Sequence, residues 1–240
     1  MIKFFKGFSL AFNMLSIIPF FKTHDFFKGI NGYAVMSYPL VGLILGFILW
    51  GIHSLLAPFI PSSHLGIIIF SMWVLITGAL HLDGFCDTVD GLFVPKEKAL
   101  KVMKDPHNGG MGMIFGGVFL ILKASSLAAF NAFYLLPVIL MLSRFNASLA
   151  IYLYPYLNKN GIGSLAKKEF NHNLFFITTL YTIIIGMWVS WSLVVISILV
   201  LLLSKYFFLK RYGGFTGDIY GFVIELTELT LLNVIIIGLT

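Results

Sequence analysis

Gly78-Ala-Leu-His-Leu-Asp-Gly-Phe-Cys-Asp-Thr-Val-Asp-Gly91 closes an apolar run that begins at Leu65. Within eight residues this stretch places Asp83, Asp87 and Asp90. A helix turns by about 100° per residue, so Asp87 lies roughly 40° to one side of Asp83 and Asp90 roughly 20° to the other. The stretch therefore predicts a helix that carries three carboxylates on one narrow face.

A face with three carboxylates needs a cation, because two unit charges about 6 Å apart repel by roughly 3 kcal/mol at an effective dielectric near 20. Mg²⁺ commonly binds one or two carboxylates together with waters and substrate phosphates. A solvated acidic helix end is the alternative. Two facts favour a metal-phosphate site: the chain has only ten acidic residues, and Gly84 and Gly91 leave room beside the acids for a phosphate.

The composition is that of an integral membrane protein. Hydrophobic residues make up 59% of the 240 residues and charged residues only 11%, which predicts an all-α, polytopic helical bundle that forms a single membrane-embedded domain over residues 1–240. The single cysteine, Cys86, excludes an internal disulfide and a cysteine-based zinc site. The excess of basic residues is spread over loops without interleaved aromatic residues, so no nucleic acid is expected as a partner.

Hydropathy predicts a short interfacial or re-entrant helix between Phe4 and Pro19, followed by seven transmembrane helices. Their approximate bounds are 33–57, 65–82, 113–131, 135–154, 174–190, 192–209 and 219–239. The lysine-rich loops should lie inside, with the amino terminus inside and the carboxyl terminus outside. This places the acidic stretch at the cytosolic face of the cytoplasmic (inner) membrane, with membrane lipid around the bundle.

The loop after the acidic stretch holds further candidates. Lys104 and Asp105 precede a glycine-dense turn that contains Gly109 and Gly110. Glycine-rich turns at a helix start can bind phosphate through backbone N–H groups, although such a turn can equally serve only to reverse the chain. The lysines of this loop can likewise serve only as a positive-inside signal.

The carboxyl-terminal third predicts a second acidic face. Asp218 closes the motif Gly213-Gly-Phe-Thr-Gly-Asp218, and Glu225 and Glu228 follow about two and three helical turns later. Topology places this face on the same side of the membrane as the first. Arg144 falls near the middle of a span, where a cation is costly. It is expected either to face the acidic pocket or a substrate phosphate, or to pair with one of the two glutamates.

The chain resembles the cobalamin synthase family, the adenosylcobinamide-GDP ribazoletransferases. The resemblance covers nearly the whole chain and rests on three motifs: His81-Leu-Asp-Gly-Phe-Cys-Asp-Thr-Val-Asp-Gly91, Met103-Lys-Asp105 with its glycine-rich turn, and Gly213-Gly-Phe-Thr-Gly-Asp218 with Glu225 and Glu228. It departs from the family pattern at Phe85-Cys86 and at Pro106-His107-Asn108. The second departure leaves His107 and Asn108 without an inferred role.

The resemblance implies a reaction of vitamin B12 (cobalamin) biosynthesis. The hydroxyl of α-ribazole, or of its 5′-phosphate, would attack the corrinoid-side phosphate of adenosylcobinamide-GDP and release GMP, with Mg²⁺ as cofactor. The site assignments expected for this chemistry comprise metal ligands, Asp83, Asp87, Asp90 and Asp105; catalytic residues, Asp90 and His81; and substrate-binding residues, Lys104, Gly109, Gly110, Arg144, Thr216, Gly217, Asp218, Glu225 and Glu228. For His81 an interface role is the alternative, and self-association into a homo-oligomer stays open.

Two other functions compete with this one. A CDP-alcohol phosphatidyltransferase would share the metal chemistry, since it also breaks a pyrophosphate with an alcohol. A divalent-cation transporter would explain acids inside a membrane, but the acids cluster at one face and the spans show no internal repeat.

Overall fold

The structure is a computed structural model that describes residues 2–21, 27–105, 107, 109–158 and 161–238. These residues form helices and no β-strand; Tyr156 and Phe215 make one isolated β-bridge. The eleven α-helices are α1 (Ile2–Leu15), α2 (Ile30–Leu56), α3 (Ser62–Ile76), α4 (Leu80–Leu92), α5 (Lys96–Val102), α6 (Gly110–Ala129), α7 (Leu136–Leu153), α8 (Ile162–Glu169), α9 (His172–Val189), α10 (Trp191–Tyr212) and α11 (Gly217–Ile236).

The prediction of an all-helical polytopic bundle is confirmed. Among the described residues, six helical segments are long and apolar enough to cross a membrane: Ile30–Leu56, Gly110–Ala129, Phe133–Leu153, His172–Val189, Trp191–Tyr212 and Gly217–Ile236. A seventh span results if α3 and α4 are counted together. The amino-terminal helix α1 has 14 residues, fewer than the roughly 20 that a membrane crossing needs, and it packs along α2.

The second predicted span, 65–82, is not one straight helix. Helix α3 ends at Ile76, and α4 begins at Leu80 at an angle of 83° to it. Gly78 and Ala79 between them have positive φ angles of 61° and 54°, and two successive left-handed residues cannot continue a right-handed helix. The acidic stretch is therefore a separate helix set across the direction of α3.

Helix α7 is the centre of the bundle, and every residue from Leu136 to Ile151 is buried. Two glycines of α2, Gly42 and Gly46, lie at its contact with α7. A Cβ atom at Gly42 would collide with the backbone of Leu140, and one at Gly46 would collide with Pro137. Small residues of this kind let two membrane helices approach until their backbones touch.

Glycines also bring α4 against α11, and this contact positions the two acidic motifs. A Cβ atom at Gly84 would lie 2.9 Å from the carbonyl oxygen of Asp218, and one at Gly221 would lie 3.0 Å from that of His81. The backbone of α4 therefore lies directly on the first turns of α11. The two acidic motifs, far apart in sequence, meet in space as topology predicted.

The contact between α2 and α7 gives a stability prediction. Gly42→Ala should lower the free energy of unfolding by about 1–3 kcal/mol, because the new methyl group has no space beside Leu140. Gly51→Ala is the matched control, since a Cβ there meets nothing within 4 Å and alanine is the better helix former by about 1 kcal/mol. Unfolding of the purified protein in mixed micelles measures both. Equal stability of the two variants would contradict the tight contact.

Candidate functional site

Three carboxylates stand together where α4 meets α11. Asp83 is exposed, whereas Asp87 and Asp218 are partly buried. Asp83, Asp218 and Asp90 all repel the carboxylate of Asp87. In the part of the chain that the structure describes, neither Asp83 nor Asp87 accepts a hydrogen bond or pairs with a cation. Asp83 and Asp87 are therefore carboxylates that no described cation contacts.

Asp90 differs from the other two acids of α4. It is 7% exposed, and its two oxygens accept hydrogen bonds from the backbone N–H groups of Gly109 at 2.8 Å and Gly112 at 2.7 Å. A Cβ atom at either glycine would collide with this carboxylate. Asp90 thus occupies the anion position at the amino terminus of α6.

This arrangement bears on two expectations. Asp90 joins α4 to α6 because each of its oxygens accepts one amide hydrogen bond; each oxygen keeps a second lone pair, so its roles as metal ligand or base stay predictions. The Gly109 amide, a candidate phosphate donor by its sequence, is likewise already occupied. Gly110 has nothing within 4 Å of a would-be Cβ and stays on the exposed side of the turn.

A buried network of four charges lies deeper in the bundle. The Lys123 ammonium donates to Glu225 at 2.6 Å and to Glu228 at 2.5 Å, and it lies 4.4 Å from the centre of the Trp73 ring. Arg144 pairs with the other oxygen of Glu228, which also accepts from Ser143 at 3.1 Å. The two cations and two anions sum to zero charge.

The network pairs Arg144, Glu225 and Glu228, which the sequence assigned to substrate binding, with one another or with Lys123. Arg144 and Glu228 are 0% exposed, and they pair with each other, which is the alternative that the sequence left open for the arginine. Sequence reasoning missed Lys123 as the partner of both glutamates. The available signal was its charge inside an apolar span, since a cation there requires an anionic partner.

His81 lies between this network and the acid cluster. Its Nδ1 atom is 3.5 Å from Nη2 of Arg144, and its Nε2 atom is buried with no hydrogen-bond partner among the described residues. The residue is 4% exposed, which fits a packed interior position. It also lines a cavity.

That cavity has a volume of about 270 Å³ and opens beside the cluster. Asp83 and Asp218 contribute to its wall, and the remaining wall is mainly apolar and aromatic. Gly217 also lines it, whereas Thr216 is buried as the cap of α11: its hydroxyl accepts from the Ile219 N–H at 3.2 Å and donates to Asp218 at 3.2 Å. Thr216 therefore orients Asp218 rather than facing the cavity.

The loop between α5 and α6 contributes less than expected. Asp105 is exposed and pairs with the His107 ring at 2.8 Å, and hydrogen bonds from the His107 side chain and backbone lower the pKa of Asp105. The other acids are not among the charges that act on it, so the structure does not bring Asp105 into the cluster. Lys104 is exposed, but its charge attracts Asp218. Pro106 and Asn108 lie outside the described residues.

Over the described ranges, no three His, Cys, Asp or Glu side chains are arranged so that they alone could enclose a metal ion. A closed protein cage such as a structural zinc site is therefore not present there. An Mg²⁺ site has a different requirement, because this ion usually takes one or two carboxylates and fills its other positions with waters and phosphate oxygens. The open, unneutralised Asp83, Asp87 and Asp218 group suits that kind of site.

Comparison with known proteins decides the family. The family model described as cobalamin-5-phosphate synthase matches residues 7–236. The chain belongs to this family. Cobalamin-5-phosphate synthases are enzymes, and this member is a transferase of cobalamin biosynthesis built from membrane helices. No solved structure matches the chain with statistical significance.

Curated relatives match most of the length of this chain. A protein of Thermosynechococcus vestitus is 36% identical over 206 residues, which is 83% of this chain and 84% of the relative. One of Acinetobacter baumannii is 32% identical over 217 residues, 87% of each chain. One of Desulfitobacterium hafniense is 34% identical over 209 residues, 81% of this chain and 82% of the relative. All three are named adenosylcobinamide-GDP ribazoletransferase.

The buried network predicts a charge-balance effect on stability. Lys123→Met should cost about 3–5 kcal/mol of unfolding free energy, because two buried glutamates then face one arginine. The double variant Lys123→Met with Glu225→Gln restores neutrality and should recover at least half of that loss. Unfolding in mixed micelles measures each variant, and Lys98→Met, at an exposed position, should change stability by less than about 0.5 kcal/mol. A double variant as unstable as the single one would contradict the network.

Proposed function

We propose that this enzyme transfers the adenosylcobinamide-phosphate group of adenosylcobinamide-GDP to a hydroxyl of α-ribazole or of its 5′-phosphate. The observation that carries the proposal is the cluster of Asp83, Asp87 and Asp218 at the mouth of a cavity, in a chain whose relatives bear the name adenosylcobinamide-GDP ribazoletransferase. Unneutralised carboxylates at an open site are suited to a metal-bound diphosphate.

The reaction is a displacement at phosphorus. The acceptor hydroxyl oxygen forms a bond to the corrinoid-side phosphorus, the bond from that phosphorus to the bridging oxygen breaks, and GMP leaves with the bridging oxygen. Asp218 faces the cavity and is held by Thr216, so it is the carboxylate best placed to accept the hydroxyl proton. Lys104 stands close enough to Asp218 to interact with its charge and can contact the diphosphate.

The proposed cofactor is Mg²⁺, held by Asp83 and Asp87 with Asp218 nearby. Bound there, it would neutralise the negative charge of the diphosphate and of the departing GMP. The protein fixes the geometry of the site. The glycine contact between α4 and α11 sets the separation of these carboxylates. The hydrogen bonds from the Gly109 and Gly112 amides to Asp90, here called the Asp90 clamp, set the direction of α4 relative to α6.

The proposed location is the cytoplasmic (inner) membrane, with the cluster on the cytosolic side. The support is the positive charge of the segment that follows α4, where Lys96, Lys98, Lys101 and Lys104 lie. Short loops rich in lysine are retained on the cytosolic side during insertion. Soluble, charged substrates would then reach the cluster directly from the cytosol.

Carboxylate-to-amide variants test the proposed site. Asp83→Asn and Asp87→Asn should each reduce GMP release from adenosylcobinamide-GDP, α-ribazole and Mg²⁺ by about 100-fold or more, because each removes a charge from the diphosphate site. Their unfolding temperatures should not fall, since each change relieves repulsion. Glu97→Gln, the same chemical change at an exposed position, should leave turnover unchanged. Near-normal turnover by both aspartate variants, or turnover with a CDP-lipid by the unaltered enzyme, would refute the proposal.

Metal removal gives a separate test. Dialysis against EDTA should abolish GMP release, and Mg²⁺ should restore it. Mg²⁺ without substrate should also raise the unfolding temperature of the metal-free enzyme, because a ligand that binds only the folded state stabilises it. Asp83→Asn should remove that thermal shift and Glu97→Gln should retain it. Full activity in EDTA would rule out the metal.

A further inference from the structure

We propose that the cavity beside α4 and α11 binds the acceptor nucleoside, with its flat base inside and its hydroxyl directed toward Asp83 and Asp218. This inference rests on the proposed function and adds to it which substrate occupies the cavity and which side chains select it. Three features of the cavity support it: its size, its aromatic wall and two buried polar atoms.

The size of the cavity indicates which of the two substrates can enter it. The cavity measures about 270 Å³, close to the lower end of the roughly 300–1,000 Å³ typical of small-molecule pockets. A nucleoside with a bicyclic base is of that size. A corrin macrocycle that carries an adenosyl group and a guanosine diphosphate is several times larger, so only its phosphate end can approach the rim.

The wall of the cavity suits a flat aromatic base. Tyr38, Tyr156 and Tyr220 line it, and the rings of Tyr156 and Tyr220 are stacked 6.0 Å apart at an interplanar angle of 14°. Phe215 extends the stack behind Tyr220 at 5.9 Å. Burial raises the pKa of Tyr156, so its phenol stays neutral. Bases commonly bind on aromatic faces of this kind.

Two polar atoms of residues in this wall are buried without a partner in the described structure: Nε2 of His81 and the hydroxyl of Tyr220. Both residues are more than nine-tenths buried, at 4% and 8% exposure. Buried polar groups normally have a hydrogen-bond partner, and one that lacks it requires an explanation. Both residues line the cavity, but the two atoms are inaccessible to solvent; the proposal therefore requires that a ligand in the cavity turn these side chains toward it, where it would supply that partner.

The contact with Arg144 determines what His81 can offer. A guanidinium group has donors only, so Nδ1 of His81, 3.5 Å from Nη2 of Arg144, must present its lone pair. The ring proton is then on Nε2. In this tautomer His81 is a neutral donor through Nε2, suited to the unsubstituted ring nitrogen of a benzimidazole base or to a ribose oxygen.

The test compares binding of the two substrates. In nanodiscs, α-ribazole binding is measured by calorimetry, and KM for each substrate is measured from GMP release. Tyr220→Phe and His81→Leu should weaken α-ribazole binding or raise its KM by roughly 3- to 10-fold, the effect of one lost hydrogen bond. KM for adenosylcobinamide-GDP should change less than about twofold. His81→Gln, which keeps an N–H donor near the Nε2 position, should recover most of the loss.

The control is Tyr134→Phe, the same change at a residue that is 60% exposed and absent from the cavity wall; it should bind α-ribazole normally. Tyr220→Phe removes a single oxygen atom, so it keeps the test valid if His81→Leu does not fold. If the variants release GMP and bind α-ribazole as tightly as the unaltered enzyme, or if their affinity for adenosylcobinamide-GDP falls instead, the cavity assignment is wrong and the function stands. If α-ribazole binding depends on Tyr220 but no GMP is released, the cavity assignment stands and the proposed function is wrong.

Discussion

The pairing of Lys123 and Arg144 with Glu225 and Glu228 is the interaction on which the rest of the structure depends. It joins α6, α7 and α11 inside the bundle, where no water is available to replace a missing partner. Through Arg144 it also touches His81 on α4. The helices that form the acid cluster are therefore also held by charge pairs that are buried in the bundle.

The ten acidic residues of the chain include two groups with opposite physical states. Glu225, Glu228 and Asp90 are buried and engaged by cations or amides. Asp83, Asp87 and Asp218 are more accessible and repel one another. Engaged acids stabilise the folded chain, whereas repelling acids destabilise it unless a cation joins them. This division, rather than the count of acids, is what makes the second group the proposed functional one.

Periodicity, hydropathy and loop charge were sufficient to predict the helical bundle and the convergence of Asp83 with Asp218, because these follow from topology. Rotation of each helix about its axis was not predictable, and it decides that Lys123 meets both glutamates. The Asp90 clamp was not predictable for another reason: its amide donors lie 19 and 22 residues further along the chain, so no local pattern links them to Asp90. The bend between α3 and α4 depends on a left-handed alanine, which composition does not reveal.

Ala79 has a Cβ atom yet adopts a left-handed conformation, which costs on the order of 1 kcal/mol relative to a right-handed one. The local sequence alone would not choose that conformation, so the corner exists only while the surrounding helices enforce it. The orientation of α4 is thus a property of the assembled bundle. A newly inserted chain whose helices have not yet packed would therefore lack the acid cluster.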